Sequence, residues 1–228
     1  MRWSLPLPYM KLGRWLDQTE RSRLERLLRP GDRDLFATAR AALKSLVSDL
    51  AAVPPEEVGL EYTCPLCDAP HGRPQVASPR TARCLDVSIS HSGQRVLVAA
   101  SIIGSIGVDV EALAPPRRDL IEAVELALDD SEILVVNELP LDQRDAGVLK
   151  YWVRKEAMLK CAGVGLRGSP GRIRLGPPDA RPIVLAWHAP EALSEIFLRD
   201  IDLGSGYHAA LAVGAAIESE PDVDEWAG

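Results

Sequence analysis

Ile106-Gly107-Val108-Asp109-Val110-Glu111 alternates apolar and acidic residues with a period of two, which predicts a β-strand. Its three apolar side chains then lie on one face, toward a core, while Asp109 and Glu111 lie side by side on the other face. Two adjacent carboxylates repel each other unless a cation or a proton lies between them. The pattern favours a divalent metal with oxygen ligands, most plausibly Mg²⁺, and the alternative is a half-exposed strand with a solvated acidic face.

A second stretch, residues 152–160, is rich in helix-forming residues. On a helix Trp152, Glu156 and Lys160 are spaced four residues apart and share one face. Glu156 is therefore a candidate third carboxylate for the metal, and Lys160, one turn away, is a candidate phosphate contact. The alternative is an ordinary Glu–Lys pair on a helix surface.

Four short motifs occur in a fixed order along the chain. They are His71-Gly72-Arg73-Pro74, Ser90-His91-Ser92-Gly93, Gly107-Val108-Asp109-Val110-Glu111, and Trp152 followed by Lys155-Glu156-Ala157 and Lys160. Together they resemble the motifs of the 4′-phosphopantetheinyl transferases, and the length is similar to that of the larger, monomeric, surfactin-synthetase-activating type. Arg73 stands where the commoner family form has lysine, and Ser88 where the family usually has asparagine.

The resemblance implies an activity that uses coenzyme A. Asp109, Glu111 and Glu156 would hold Mg²⁺ on the pyrophosphate, and Glu156 would accept the proton of an attacking serine of an acyl, polyketide or peptidyl carrier protein. Lys160 would stabilise charge on the phosphates. The role of Lys155 in the motif stays open.

The nucleotide end of coenzyme A is assigned by the same resemblance to Arg73, Ser90, His91 and a basic residue of an N-terminal helix. Residues 11–44 are net positive within an acidic protein, and their apolar spacing predicts two helices that separate near Pro30-Gly31. Lys44 is the position matched to the 3′-phosphate contact, and Arg40 is the alternative.

The order of the predicted elements indicates an α+β fold, since helices precede several strands in each half. We predict strands at residues 58–63, at 85–90, at 95–103, at 106–111 and in four stretches between 172 and 217, with 85–111 forming a three-stranded meander. Halves 1–105 and 106–217 precede an acidic tail, 218–228, expected to be disordered. The resemblance adds pseudo-twofold symmetry between the halves, with coenzyme A in the cleft between them.

Composition restricts the remaining possibilities. The net charge of −7 argues against a nucleic-acid partner, and no apolar run is long enough for a membrane span, so we expect a cytoplasmic protein. The resemblance to the larger family type implies that it is a monomer. Cys64 and Cys67 with His71 have the spacing of metal ligands, and Cys84 is a possible fourth; a loop with reduced thiols is the alternative to a zinc site.

Two other functions stay open at this point. One is a Mg²⁺-dependent nuclease or phosphotransferase of another class, and the other is a non-catalytic module that binds coenzyme A or a carrier protein.

Overall fold

The computed structural model describes residues 1–64, 67–69, 72–114, 121, 124, 126–217 and 221–228. These residues form two compact units, one of Met1–Gly104 with Ser219–Gly228 and the other of Ser105–Glu218. The boundary predicted from the sequence lies one residue away from this division. Within the described ranges, no helix has both the length and the apolar character needed to cross a bilayer.

In each unit a group of helices precedes a run of strands, and most of the strand pairs are antiparallel, as in an α+β fold. The α-helices are α1 (Tyr9–Leu12), α2 (Gln18–Glu25), α3 (Pro30–Ala51), α4 (Asp130–Glu138) and α5 (Arg144–Cys161). The strands are β1 (Arg2–Ser4), β2 (Gly59–Glu61), β3 (Gln75–Ser78), β4 (Asp86–Ser92), β5 (Arg95–Ser101), β6 (Ile106–Ala112), β7 (Ile173–Leu175), β8 (Val184–Trp187), β9 (Phe197–Asp200), β10 (Tyr207–Val213) and β11 (Asp224–Glu225). Short 3₁₀ turns lie at Gly13–Trp15, Pro55–Glu57, Arg80–Ala82, Leu141–Gln143, Gly165–Arg167 and Pro170–Arg172.

The first unit packs the long helix α3 on a four-stranded sheet with the order β11-β1-β5-β4. Pro30 begins this helix because proline is well suited to a first helical turn, where its missing N–H would have no partner. Ala39, Leu43 and Val47 recur every four residues along α3 and are buried in the core. The two helices predicted on either side of Pro30 are therefore confirmed.

The C-terminal residues of the chain belong to the first unit. Strand β11 pairs in parallel with β1, and the Trp226 side chain is buried in the core, with its ring 5.9 Å from that of Trp15 in an edge-to-face contact. The predicted disordered tail is wrong for residues 221–228. The acidic composition concealed one large aromatic side chain whose burial anchors the segment.

The second unit packs helix α5 on a three-stranded antiparallel sheet with the order β6-β10-β9. Gly107, Asp109 and Glu111 of β6 lie opposite Ala212, Ala210 and His208 of β10 in the register of the two strands. Residues directly opposite each other in antiparallel strands point to the same face, so these six side chains share one face of the sheet.

The predicted meander of residues 85–111 is wrong at its third strand. Strands β4 and β5 do form an antiparallel pair, but β6 pairs with β10, a strand that lies about 100 residues further along the chain. Alternation predicts that β6 is a strand and which residues share a face, but the choice of a pairing partner depends on contacts that are distant in sequence.

Gly107 allows helix α5 to approach β6 unusually closely. A Cβ atom at this position would lie 2.0 Å from the Ala157 carbonyl oxygen and 2.4 Å from the Cys161 amide nitrogen, both backbone atoms of α5. Those distances leave no room for a side chain, and the backbone of a packed helix cannot move as the end of a flexible side chain can. Glycine is therefore required here by contact with the helix.

We predict that Gly107→Ala lowers the free energy of unfolding by about 1–3 kcal/mol or more, because the added methyl group forces α5 away from β6. Chemical denaturation of both proteins measures the change. Gly31→Ala is the matched control, since a Cβ there meets no atom within 4 Å and the position lies in helix α3. Equal stability of Gly107→Ala and the wild type would contradict the close packing.

Candidate functional site

The acidic residues predicted to bind a metal lie between strand β6 and helix α5. Asp109 comes from the α5-facing side of β6 and Glu156 from the buried face of α5, and each is 4% exposed. Glu111 lies two residues along β6 on the same face as Asp109 and is partly exposed. The structure thus places three carboxylates in one region of the second unit, two of them almost without solvent.

Lys160 supplies a positive charge to this group. Its ammonium donates to the Asp109 carboxylate, with Nζ 2.7 Å from Oδ1, and to the Val108 carbonyl oxygen at 3.1 Å. The Lys160 side chain is 26% exposed, so it lies at the edge of the buried region. The expected proximity of Lys160 to the acidic residues is present, and its partner in this structure is Asp109.

Glu156 is an unusual carboxyl group in its surroundings. Its Oε1 atom is buried and has no hydrogen-bond partner among the residues that the structure describes. The pKa of Glu156 is raised from 4.5 to about 7, mainly because the group is buried. The Asp109 carboxylate and, to a smaller extent, Glu111 contribute to this increase, and the Lys160 ammonium opposes it. A carboxyl group with a pKa near neutrality is suited to accept and release protons.

The three acidic side chains suit a hard divalent cation by their chemistry, because carboxylate oxygens are the ligands that Mg²⁺ prefers. The buried Oε1 atom of Glu156 is an acceptor that such a cation would satisfy. In the described part of the chain, no three His, Cys, Asp or Glu side chains are already grouped as a metal site. The Lys160 ammonium neutralises Asp109 in this arrangement.

Ser90 and His91 occupy neighbouring positions on β4 in the first unit. Ser90 is buried and His91 is exposed, as expected for successive residues that point to opposite faces of a strand. Strand β4 continues to Ser92, so the turn begins at Gly93, whose φ of 56° lies in the left-handed region.

Arg73 forms an ion pair with Asp86, at the beginning of β4. His91 lies five positions after Asp86 along the strand, and a strand rises about 3.3 Å per residue, so the Cα atoms of these two residues lie roughly 16 Å apart. The structure therefore places Arg73 and His91 at opposite ends of β4.

Lys44 is not exposed to a ligand. Its side chain is 3% exposed, and Nζ donates to Glu20 Oε2 at 2.7 Å and to the Trp15 carbonyl oxygen at 2.9 Å. Assigning Lys44 to the 3′-phosphate of coenzyme A conflicts with this geometry, because binding there would break a buried ion pair and leave Glu20 with a longer ionic contact, to Arg40 Nε at 3.9 Å. Helical spacing predicted that Lys44 lies near the same helix face as Arg40. It could not predict that Lys44 forms an ion pair with Glu20, which belongs to another helix.

Arg40, the alternative to Lys44, lines a cavity of about 430 Å³. Its guanidinium lies over the rings of Tyr62 and Phe36, at 4.3 and 4.7 Å from their centroids, and its Nε atom has no hydrogen-bond partner among the described residues. Two further cations, Arg23 and Arg26, contribute to the lining. The complete lining is Thr19, Glu20, Ser22, Arg23, Arg26, Leu27, Phe36, Arg40 and Tyr62.

The cysteine motif yields no metal site among the residues described here. Cys64 is buried, Cys67 and Cys84 are exposed, and these three do not form a metal-binding group. His71 lies outside the described residues. Both interpretations of the cysteine motif, a zinc site and a loop with reduced thiols, therefore stay predictions.

Three residues that shape the surroundings of Lys44 and of helix α5 were not identified from the sequence: Glu20, Glu132 and Gly107. Glu20 had a usable signal, because Asp17 and Glu20 form the capping box that begins α2, which fixes the Glu20 side chain near its own helix start. Glu132 had the same signal, since it forms a capping box with Asp129. The close approach at Gly107 had none, because it depends on packing alone.

Residues 105–212 match the model of the "4′-phosphopantetheinyl transferase superfamily". These residues belong to the 4′-phosphopantetheinyl transferase superfamily. The family resemblance is thereby confirmed, and the matched range contains β6, α5 and all of β10 except Val213, with Asp109, Glu111, Glu156 and Lys160. The motifs at residues 71–74 and 90–93 lie outside that range.

Curated relatives of the chain carry the name of the same superfamily. The provisionally named 4′-phosphopantetheinyl transferase slr0495 of Synechocystis is 28% identical over 69% of this chain, and the match spans 61% of that protein. The 4′-phosphopantetheinyl transferase HetI of Nostoc is 28% identical over 72% of this chain and 68% of its own length. A Xenopus laevis L-aminoadipate-semialdehyde dehydrogenase-phosphopantetheinyl transferase is 21% identical over 90% of this chain and 70% of its own length.

Solved structures of holo-(acyl-carrier-protein) synthases are also similar to about half of the chain. The Bacillus anthracis structure, in complex with CoA (3′,5′-ADP), covers 49% of this chain and 95% of its own, with 23% identity and a TM-score of 0.41. The Thermotoga maritima structure covers the same share of this chain and 62% of its own, with 20% identity and a TM-score of 0.40.

We predict that Glu156→Gln stabilises the metal-free protein at pH 8 but not near pH 4.5. Between pH 4.5 and pH 7 the native Glu156 keeps a proton that the unfolded chain has lost, so the stability of the wild type falls as the pH rises through this range. Glutamine carries no such penalty, and a shift of this size corresponds to a gain of, at most, on the order of 3 kcal/mol above pH 7. Denaturation in EDTA at both pH values measures it, and a pH-independent difference would contradict the raised pKa.

Proposed function

We propose that this protein transfers the 4′-phosphopantetheine group of coenzyme A to a serine hydroxyl of an acyl or peptidyl carrier protein, and that the reaction depends on Mg²⁺. The serine oxygen forms a bond to the β-phosphorus, the bond between that phosphorus and the bridging oxygen breaks, and 3′,5′-ADP leaves with the bonding electrons. The serine proton passes to a base of the protein. Superfamily membership and the acidic region at β6 and α5 support this proposal.

The observation that carries the proposal is the state of Glu156. It is a buried carboxyl group whose pKa lies near 7 and whose Oε1 has no hydrogen-bond partner among the described residues. A general base is most effective when its pKa is near the working pH, because it is then available to accept a proton without being too weakly basic. We therefore assign proton acceptance from the carrier serine to Glu156.

Asp109, Glu111 and Glu156 are the residues that would hold Mg²⁺. When bound, the metal neutralises the pyrophosphate and improves 3′,5′-ADP as a leaving group. Lys160, at the partly exposed edge of the region, contacts the phosphates and stabilises the charge that develops on them. Its present contact with Asp109 keeps that ammonium close to the acidic group in the absence of a ligand.

The nucleotide end of coenzyme A is assigned to the first unit. Arg40 replaces Lys44 as the proposed contact of the 3′-phosphate, because Arg40 lines a cavity with two more arginines while Lys44 is engaged with Glu20. Exposed His91 at the edge of the sheet remains a proposed contact, with Ser90 beside it, and Arg73 is proposed to bind phosphate from the other end of β4. We also propose the larger, monomeric, cytoplasmic type of the superfamily.

The decisive experiment incubates the protein with an apo carrier protein, coenzyme A and Mg²⁺ and measures the mass of the carrier. The proposal predicts a gain of one phosphopantetheine on the carrier serine, lost when that serine is replaced by alanine. Binding of coenzyme A with no change in the carrier mass would instead indicate a non-catalytic module. Cleavage of coenzyme A without transfer, or of nucleic acid, would indicate another phosphotransferase or nuclease.

We predict that Glu156→Gln slows transfer by roughly 10²–10⁴ fold and that added Mg²⁺ does not restore the rate, because the variant loses a general base. Glu111→Gln makes the same chemical change at a residue proposed only as a metal ligand. It should need more Mg²⁺ and recover most of its turnover at saturation. Rate titrations against Mg²⁺ measure both, and full recovery of Glu156→Gln would contradict its role as the base.

We predict that Arg40→Met weakens binding of coenzyme A more than binding of its 3′-dephospho analogue, by roughly one to two decades in affinity, as for a lost hydrogen bond to a charged group. Comparing two ligands on one variant removes any effect on folding. Lys44→Met is the matched control: it should lower stability, since Glu20 loses its nearest ionic partner, and weaken both ligands equally. Calorimetric titration measures these affinities, and the reverse pattern would restore Lys44 as the contact.

A further inference from the structure

Lys155 directly precedes the proposed base, Glu156, in the sequence, and its side chain is fully buried. Its side chain is 0% exposed and its Nζ lies 2.5 Å from Glu132 Oε2, whose side chain is 1% exposed. The ammonium also donates to the Ala127 carbonyl oxygen at 3.0 Å. Burial lowers the pKa of Lys155, and the Glu132 carboxylate opposes that shift. Both partners of the ammonium belong to the protein interior, so Lys155 cannot reach a phosphate without breaking a buried ion pair.

Glu132 connects this ion pair to two other segments of the second unit. Its Oε2 accepts from the Asp129 amide at 2.7 Å, at the beginning of helix α4, and its Oε1 accepts from the Leu175 amide at 2.9 Å, at the end of β7. Both carboxylate oxygens are therefore in use. Through Glu132, Lys155 holds helix α5 against α4 and β7 at a single point.

A second buried charge fixes the same turn of α5 from another direction. Arg154 donates to the two carboxylate oxygens of Asp200 on β9 at 2.8 and 2.7 Å, and to the Pro178 and Ala180 carbonyl oxygens at 3.1 and 2.8 Å. Successive residues of an α-helix project about 100° apart. Arg154 and Lys155 therefore secure α5 on two sides, and the next residue, Glu156, projects toward β6.

We propose that Lys155 is a positioning residue for the transfer reaction. Its ion pair with Glu132 sets the rotation of helix α5 about its axis, and this rotation places the Glu156 carboxyl beside Asp109. Lys155 takes no proton from the carrier serine and contacts no phosphate. The inference rests on the proposed function, because its effect is measured in the transfer reaction.

The pair can be tested by removing its charges one at a time and then together. Lys155→Met leaves Glu132 as an uncompensated buried carboxylate, whereas Lys155→Met with Glu132→Gln removes both charges. Glutamine keeps the length of the side chain and one acceptor oxygen, so it can retain one of the two contacts with the Asp129 and Leu175 amides. Replacement of both members of a buried ion pair is often tolerated when replacement of one is not.

Lys150→Met is the matched control on the same helix. Lys150 lies 3.4 Å from Asp200 and its side chain is 26% exposed, so losing its charge should have little effect. All variants are assayed for carrier modification at a temperature well below their unfolding transitions, with circular dichroism confirming that each is folded. Thermal unfolding of the wild type, both single variants and the double variant is measured in parallel.

Lys155→Met is expected to lower kcat by about 10- to 100-fold, as for a misplaced catalytic group, while KM for coenzyme A stays within about two-fold. Its unfolding temperature should fall by about 10 °C. The double variant should recover most of both losses, and Lys150→Met should resemble the wild type.

Three results would overturn the proposal. A double variant that regains stability but stays as slow as Lys155→Met would make Lys155 a catalytic residue. A folded Lys155→Met with normal kcat but a lowered unfolding temperature would make the pair purely structural. Unchanged stability and kcat in Lys155→Met would show that the ion pair does neither. If the wild-type protein modifies no carrier protein, that result contradicts the proposed function and not the role of Lys155. The carrier-modification assay of the wild type therefore tests the proposed function separately from the variants.

Discussion

The close contact between helix α5 and strand β6 at Gly107 is the constraint on which the acidic region of the second unit depends. Because Gly107 has no side chain, the backbone of the helix can come very close to the strand. A Cβ atom at this position would lie only 2.0 Å from the Ala157 carbonyl oxygen. Ala210 and Ala212 of β10 extend the same shallow surface under the helix. This approach brings Glu156 near Asp109 while excluding water from both, and exclusion of water is the main cause of the raised pKa of Glu156.

Buried charges along α5 have different consequences because their partners differ. Arg154 and Lys155 have carboxylates and carbonyl oxygens as partners, which compensate their desolvation and hold the helix in place. Glu156 follows them directly but has an unsatisfied oxygen and two neighbouring acids. Among the described residues, the helix thus combines two satisfied ion pairs with one carboxyl oxygen that has no hydrogen-bond partner, which is the group proposed here to bind a cation or a proton.

Local patterns in the sequence predicted the parts of this arrangement that depend on spacing. Alternation identified β6 and the shared face of Asp109 and Glu111, and helical spacing placed Glu156 one turn from Lys160. Contacts between distant segments could not be predicted in this way. They are the pairing of β6 with β10, the burial of Trp226 beside Trp15, and the ion pair between Lys44 and Glu20. Each depends on a partner that neither periodicity nor composition specifies.

The most direct test is a titration of the Glu156 carboxyl carbon by NMR, with ¹³C-labelled glutamate and with Glu156→Gln to assign the signal. The account predicts a midpoint near pH 7 in the metal-free protein and a lower midpoint when Mg²⁺ is added, because a bound cation favours the ionised carboxylate. A midpoint near the ordinary value of 4.5 that Mg²⁺ leaves unchanged would contradict it.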